Sequence, residues 1–143
     1  MIPALNESGH LPVGGHYCTW EEFYERFRFN ERRVCLCDKL QEVLDLARRC
    51  GFIRVIVGGS FPTDTDSPRD MDLSWITAVD VTKESVKPEC VKLMDSMVAE
   101  EEYQWSMIYL PLNHDEEWIQ HWAVQLGFCS KTFKDRGTLV IDL

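Results

Sequence analysis

Two hydrophobic periods run through the chain, and between them they lay out its elements. From Asn30 to Gly51 apolar residues recur at helical spacing, as Val34, Cys37, Leu40, Leu44 and Ala47. Asn30 is a good N-cap and Gly51 a stop, so a helix is predicted through about Arg49. Ahead of it, Thr19-Trp20-Glu21-Glu22 has the form of a capping box and starts a short helix through about Phe27. Past Gly51 the period changes. Ile53–Val57 is a β-branched run, Met71–Ile76 reads as a second strand, and Trp105–Leu110 as a third that ends at Pro111. Thr138–Leu143 is a closing strand after a turn at Asp135-Arg136-Gly137. Pro88 opens a helix that carries Val91, Met94 and Val98 to the acidic run Glu100-Glu101-Glu102. Asn113 caps another helix through about Leu126, with Asp115, Glu116 and Glu117 favourably placed in its first turn. Trp118 and Trp122 share one face of that helix. Residues 1–18, with two prolines and three glycines, read as an irregular arm, and residues 78–87 as a polar connection. The sum is one α+β domain, residues 1–143, in which helices flank a small mixed sheet.

Composition narrows the class. A chain of 143 residues is long enough to bury a sizeable core, and 45% hydrophobic with 27% charged residues is ordinary for a globular domain. No apolar run approaches a membrane span and the first residues lack a basic, apolar leader, so a cytoplasmic protein without a membrane partner is expected. The six cysteines are scattered. Cys35 and Cys37 point to different sides of a helix and no second pair completes a zinc spacing, so buried, reduced thiols are expected rather than a metal or a disulfide framework.

The net charge of −9 is unevenly placed. Residues 1–57 carry eight basic and eight acidic side chains, whereas residues 58–143 carry seven and sixteen. Such a surface disfavours stable DNA binding, although a basic group at Arg26, Arg28, Arg32 and Arg33 could grip phosphate.

The stretch that carries chemistry is IRVIVGGSFPTDTDSPRDMDLSWIT, residues 53–77. A strand ends in Gly59-Ser60, a turn-rich loop follows, and Asp70-Met71-Asp72 opens the next strand. A Gly-Ser turn lets a phosphate approach the backbone and offers amide and hydroxyl donors. Two carboxylates at i and i+2 of a strand point to one side of the sheet and are hard oxygen ligands for Mg²⁺. Two-metal chemistry asks for a third carboxylate, and Asp142, between Ile141 and Leu143 on the last strand, is the best candidate. The rival motifs fail. No lysine follows Gly59-Ser60 as a P-loop requires, the serine lacks the second glycine of a nucleophile elbow, and His10, His16, His114 and His121 share no metal spacing.

The order strand, Gly59-Ser60, loop, Asp70-Met71-Asp72 resembles the DNA polymerase β-like nucleotidyltransferases, especially the minimal ones of bacteria and archaea. The N-terminal half, with Leu11-Pro12, Gly15-His16, Thr19-Trp20, Glu22-Phe23, Arg26-Phe27, Asn30 and Arg32-Arg33, looks like a small, uncharacterised prokaryotic family of such proteins. Phe133-Lys134-Asp135-Arg136-Gly137 and Val140-Ile141-Asp142-Leu143 fit that likeness, which is loosest between about 78 and 127. The resemblance implies transfer of a nucleoside monophosphate from an NTP to a hydroxyl of a protein or RNA acceptor, with pyrophosphate leaving. It implies that Gly59 and Ser60 hold the triphosphate, that Asp70 and Asp72 hold Mg²⁺, and that Asp142 is the third carboxylate. A toxin–antitoxin or phage-defence setting would follow, with the acidic charge favouring a protein acceptor. The alternative is an inactive relative that uses the same fold, as an antitoxin or inhibitor, to bind a partner.

Overall fold

Local signals at the helix ends set the first half of the chain. In the computed structural model, which describes residues 1–69, 71–77, 82–110, 115–129, 132 and 134–143, α1 (Trp20–Phe27) begins with the expected reciprocal capping box between Thr19 and Glu22. α2 (Glu31–Arg49) is capped by the Asn30 side chain, which accepts from the Arg33 amide, and it gives way to Gly51 at φ +81°. The core stripe of α2 is wider than the spacing indicated. Leu36, Val43 and Leu46 join Cys37, Leu40, Leu44 and Ala47 in burial, and so does Arg33.

Among the described residues seven strands form two sheets. β1 (Gly15–Cys18), β2 (Phe52–Gly58), β3 (Asp72–Thr77), β4 (Ser106–Leu110) and β7 (Thr138–Asp142) form a five-stranded sheet in the order β1-β7-β2-β3-β4. β1 runs parallel to β7 and β3 to β4, while β2 is antiparallel to both of its neighbours. β5 (Phe128–Cys129) and β6 (Lys134–Asp135) make a separate two-stranded ladder. The sheet is therefore mixed and the fold α+β, as expected.

Alternation along the strands sends residues to two different layers. Val55, Val57, Leu73, Trp75, Leu139 and Ile141 join the larger core with side chains of α1, α2, α3 (Pro88–Met94) and α4 (Ser96–Tyr103). Ile56, Ile76 and Val140 face the other way, onto Ile119 and Ala123 of α5 (Glu116–Gly127). Thus α5 covers one face of the sheet and the remaining helices cover the other.

Four expectations need correction. The arm at 1–18 is not wholly irregular, because residues 15–18 extend the sheet at its edge beside β7. Gly15 is required there: a Cβ would lie 2.9 Å from the Ala123 Cβ, and the Gln120 side chain bonds both its amide and its carbonyl. The single helix from Pro88 is two, because Asp95 adopts an extended backbone and caps α4 by accepting from the amides of Met97 and Val98. The cap of α5 is Asp115, which accepts from Glu117 and Trp118; Asn113 and Pro111 lie outside the described residues. Finally, Cys50 and Cys90 form a disulfide that joins the end of α2 to α3, whereas Cys18 and Cys37 are buried free thiols as expected and Cys35 is exposed. No helix among the described residues is long and apolar enough to cross a membrane.

Candidate functional site

The Gly59-Ser60 turn is built by β2 from below and by α2 from the side. Gly59 has φ +80°, a left-handed conformation that glycine adopts without the Cβ clash other residues meet. Residues 59–62 then form a turn rather than the first turn of a helix, so the donors available here are those of a loop. The Ser60 hydroxyl accepts from the Arg69 amide at 3.2 Å, and its carbonyl accepts from the Thr63 hydroxyl at 2.6 Å. Both ends of the 60–69 loop are thereby drawn together.

The loop owes its shape to one buried cation. The Arg33 guanidinium is fully buried and donates to the carbonyls of Phe27, Phe61, Thr63 and Thr65, at 2.7–3.3 Å. It also sits over the rings of Phe29 and Phe61, 4.3 and 4.8 Å from their centroids. Burial pulls its pKa down to about 10, with Cys37, Asp64 and Asp66 acting in the opposite direction. Asn30, besides capping α2, donates to the Asp66 carbonyl at 2.7 Å. Arg33 therefore does not belong to a surface group with Arg26, Arg28 and Arg32. It is the clamp that presents the Gly-Ser loop, and the signal for it was its place one turn inside the helix, next to buried Cys37 on the core stripe.

Asp72 is the first residue of β3 and lies directly across from Gly58 in the antiparallel pair. It is half-buried and begins on the α5 side of the sheet, the side on which Ser74 accepts from the Trp122 indole at 3.0 Å. The strand therefore sets Asp72 next to the turn that follows β2. Asp70 lies outside the described residues. Carboxylate and hydroxyl oxygens are the donor types a hard dication takes, so Asp72 and Ser60 suit Mg²⁺ in kind. Among the described residues, no group of three or more His, Cys, Asp or Glu side chains could hold a metal.

The structure does not bring Asp142 to this place. Asp142 pairs with Arg54, and Asp72 with Gly58, on opposite flanks of β2. Four residues of strand separate those positions by about 13 Å, and two strand spacings add about 10 Å across, which puts the two Cα atoms about 16 Å apart. Metal ions in a two-metal site are only about 4 Å apart. Asp142 instead accepts from the Arg54 Nε at 2.5 Å. The Arg54 guanidinium lies 5.2 Å from the Tyr17 ring centroid, and the Tyr17 hydroxyl donates to Glu116 at 2.6 Å. This group fastens the first turn of α5 to β1 and borders a separate cavity of about 520 Å³. The sequence could show Asp142 alternating with apolar neighbours but not which end of the sheet it occupies, because that depends on strand order. The other neighbour of β3 is β4, whose Ser106 pairs with Asp72 and whose residues 106–110 include no carboxylate.

The pattern of a family of unknown function, DUF6932, matches residues 3–142. The chain belongs to this family. The DUF6932 match takes in the Gly-Ser turn, Asp72 and the distant Asp142 alike, so the whole described sheet lies within its bounds. No curated protein and no solved structure matches the chain.

Proposed function

We propose that this DUF6932 chain binds an NTP at the Gly59-Ser60 turn with Mg²⁺ held by Asp72 and Asp70, and transfers the nucleoside monophosphate to a hydroxyl of a macromolecular acceptor. The observation that carries the reading is the pairing of Gly58 with Asp72, which sets a glycine turn with positive φ beside a carboxylate at the start of the next strand. Backbone and hydroxyl donors of the turn suit phosphate oxygens. Mg²⁺ bound there would offset the negative charge that builds on the phosphates as pyrophosphate leaves. Residues of the chain would do the rest: Arg33 holds the loop in shape, and Asp72 orients the triphosphate against the turn.

A second reading is favoured by one observation. Transfer needs a group to take the proton of the acceptor hydroxyl, and Asp142 is about 16 Å from Asp72 by strand geometry. A chain that binds nucleotide or a protein partner without transferring anything would leave Asp142 to its structural ion pair. The experiment that separates the two is label transfer from α-labelled NTPs in the presence of Mg²⁺ and cell extract. The transferase reading expects a labelled macromolecule with the parent chain and none with Asp72→Asn. Label that persists in the variant, or never appears while the NTP still binds, removes the transferase reading and leaves the binding one.

A further inference from the structure

Where the loop after Gly59-Ser60 ends at Arg69, a small cavity of about 170 Å³ has walls unusual for a chain of net charge −9. Arg32 and Lys39 enter it from α2, Arg69 from the segment before β3, and Gln104 and Trp105 from the segment before β4. Among the described residues none of its lining side chains is acidic, and none of the three cations takes part in an ion pair.

We propose that this cavity is an anion subsite that takes the phosphate tail of a nucleotide. Arg32 and Lys39 are seven residues apart, two turns of one helix, and so stand on the same face. Arg69 joins them from a segment whose backbone is fixed to the site, since its amide is the one that donates to the Ser60 hydroxyl. Trp105 is buried and precedes Ser106, the partner of Asp72. The cavity thus lies at the same end of the sheet as the proposed nucleotide site, on the α2 side, and is tied to the Gly-Ser turn through Arg69.

Three like charges around one small space repel each other unless an anion joins them. The Lys39 pKa is lowered, first by burial and then by the neighbouring charge of Arg32. Lys39 is also held in place without a counter-ion: its ammonium donates to the Tyr103 carbonyl and sits 4.4 Å from the Trp105 ring centroid. A position fixed by a carbonyl and a ring keeps the charge available to a ligand. Arg32 and Arg69 are exposed and supply planar N–H donors, which suit phosphate oxygens. The volume is well below the roughly 300 Å³ at which drug-sized ligand pockets begin, so it suits a phosphoryl group and not a nucleoside.

The identity of the anion rests on the nucleotide reading, but the cavity and its charge do not. The test therefore uses inorganic tripolyphosphate without a divalent cation, and ATP with Mg²⁺ in parallel, measured by titration calorimetry. The expected result is saturable tripolyphosphate binding that weakens about tenfold or more in Arg32→Gln and in Arg69→Gln, as loss of a charge-assisted hydrogen bond implies. Arg48→Gln, distant on the same helix, should bind as the parent does, and thermal melts of all three confirm folding. Absence of tripolyphosphate binding, or equal binding by both variants and parent, overturns the subsite. Tripolyphosphate binding that follows this pattern in a chain that does not bind ATP keeps the subsite and removes the nucleotide reading.

Discussion

Arg33 shows how a single side chain can decide the shape of a loop that carries no regular structure. Its guanidinium donates to the carbonyls of residues 61, 63 and 65, the first two on buried residues, and to that of buried Phe27. Replacement by methionine keeps most of the volume but removes every donor. Arg33→Met is therefore expected to lower stability by about 3 kcal/mol or more, read as a shift in denaturant midpoint, because several buried acceptors lose their partners together. A loss below about 1 kcal/mol would mean the loop holds itself. Tyr17 is the second informative residue. Burial and then its hydrogen bond to Glu116 raise its pKa to about 12. A tyrosine whose pKa is higher folded than unfolded contributes stability that is complete below pH about 10 and lost as pH rises through about 12. Tyr17→Phe should accordingly flatten the fall in stability between pH 9 and 12, measured by urea denaturation at each pH. Neither role could be read from composition. Arg33 looked like one of a row of surface arginines, and Tyr17 lay in what read as an irregular arm.

At the scale of elements, the signals that held were local and chemical. The Thr19 and Asn30 caps, the Gly51 stop and the β-branched run in β2 all depend on neighbours within a turn or a strand, so the sequence suffices to place them. What it did not display was competition between two adequate signals. Val91, Met94 and Val98 continue a helical period across Asp95, yet Asp95-Ser96 is also a strong N-cap, and the cap prevailed. β1 was hidden for a different reason. Gly15 and His16 have little strand propensity, and the strand exists because β7 offers it an edge and α5 a surface. The disulfide between Cys50 and Cys90 joins elements 40 residues apart in sequence and could not be inferred from spacing. Its removal, as Cys50→Ala with Cys90→Ala, is expected to cost about 2–4 kcal/mol of unfolding free energy relative to the oxidised chain. A double variant as stable as the oxidised parent would show that packing of α3 alone secures that corner.

For the whole molecule, strand order is the property that reorganises the candidate site. The Gly-Ser turn and Asp72 are adjacent because β2 and β3 are hydrogen-bonded neighbours, a contact that two consecutive strands joined by a loop make readily. Asp142 belongs to β7, which pairs with β2 on its other flank and ends at the opposite end of the sheet. In the proposed reading the phosphate-directed features share one end of the sheet, with Ser60 and Asp72 at the turn after β2 and the Arg32–Lys39–Arg69 cavity on the α2 side. The Asp142–Arg54 pair ties β7 to β2 at the other end, beside the Tyr17–Glu116 bond that holds α5. An exposed ion pair of that kind contributes about 0–1 kcal/mol, so its disruption should leave the phosphate end intact. The most direct test of that division is Mg²⁺-dependent binding of a fluorescent ATP analogue by the parent chain, Asp72→Asn and Asp142→Asn. The account expects saturable binding by the parent and Asp142→Asn alike, and at least about tenfold weaker binding by Asp72→Asn. Binding that is absent from the parent, or that falls with Asp142→Asn and not with Asp72→Asn, would contradict it.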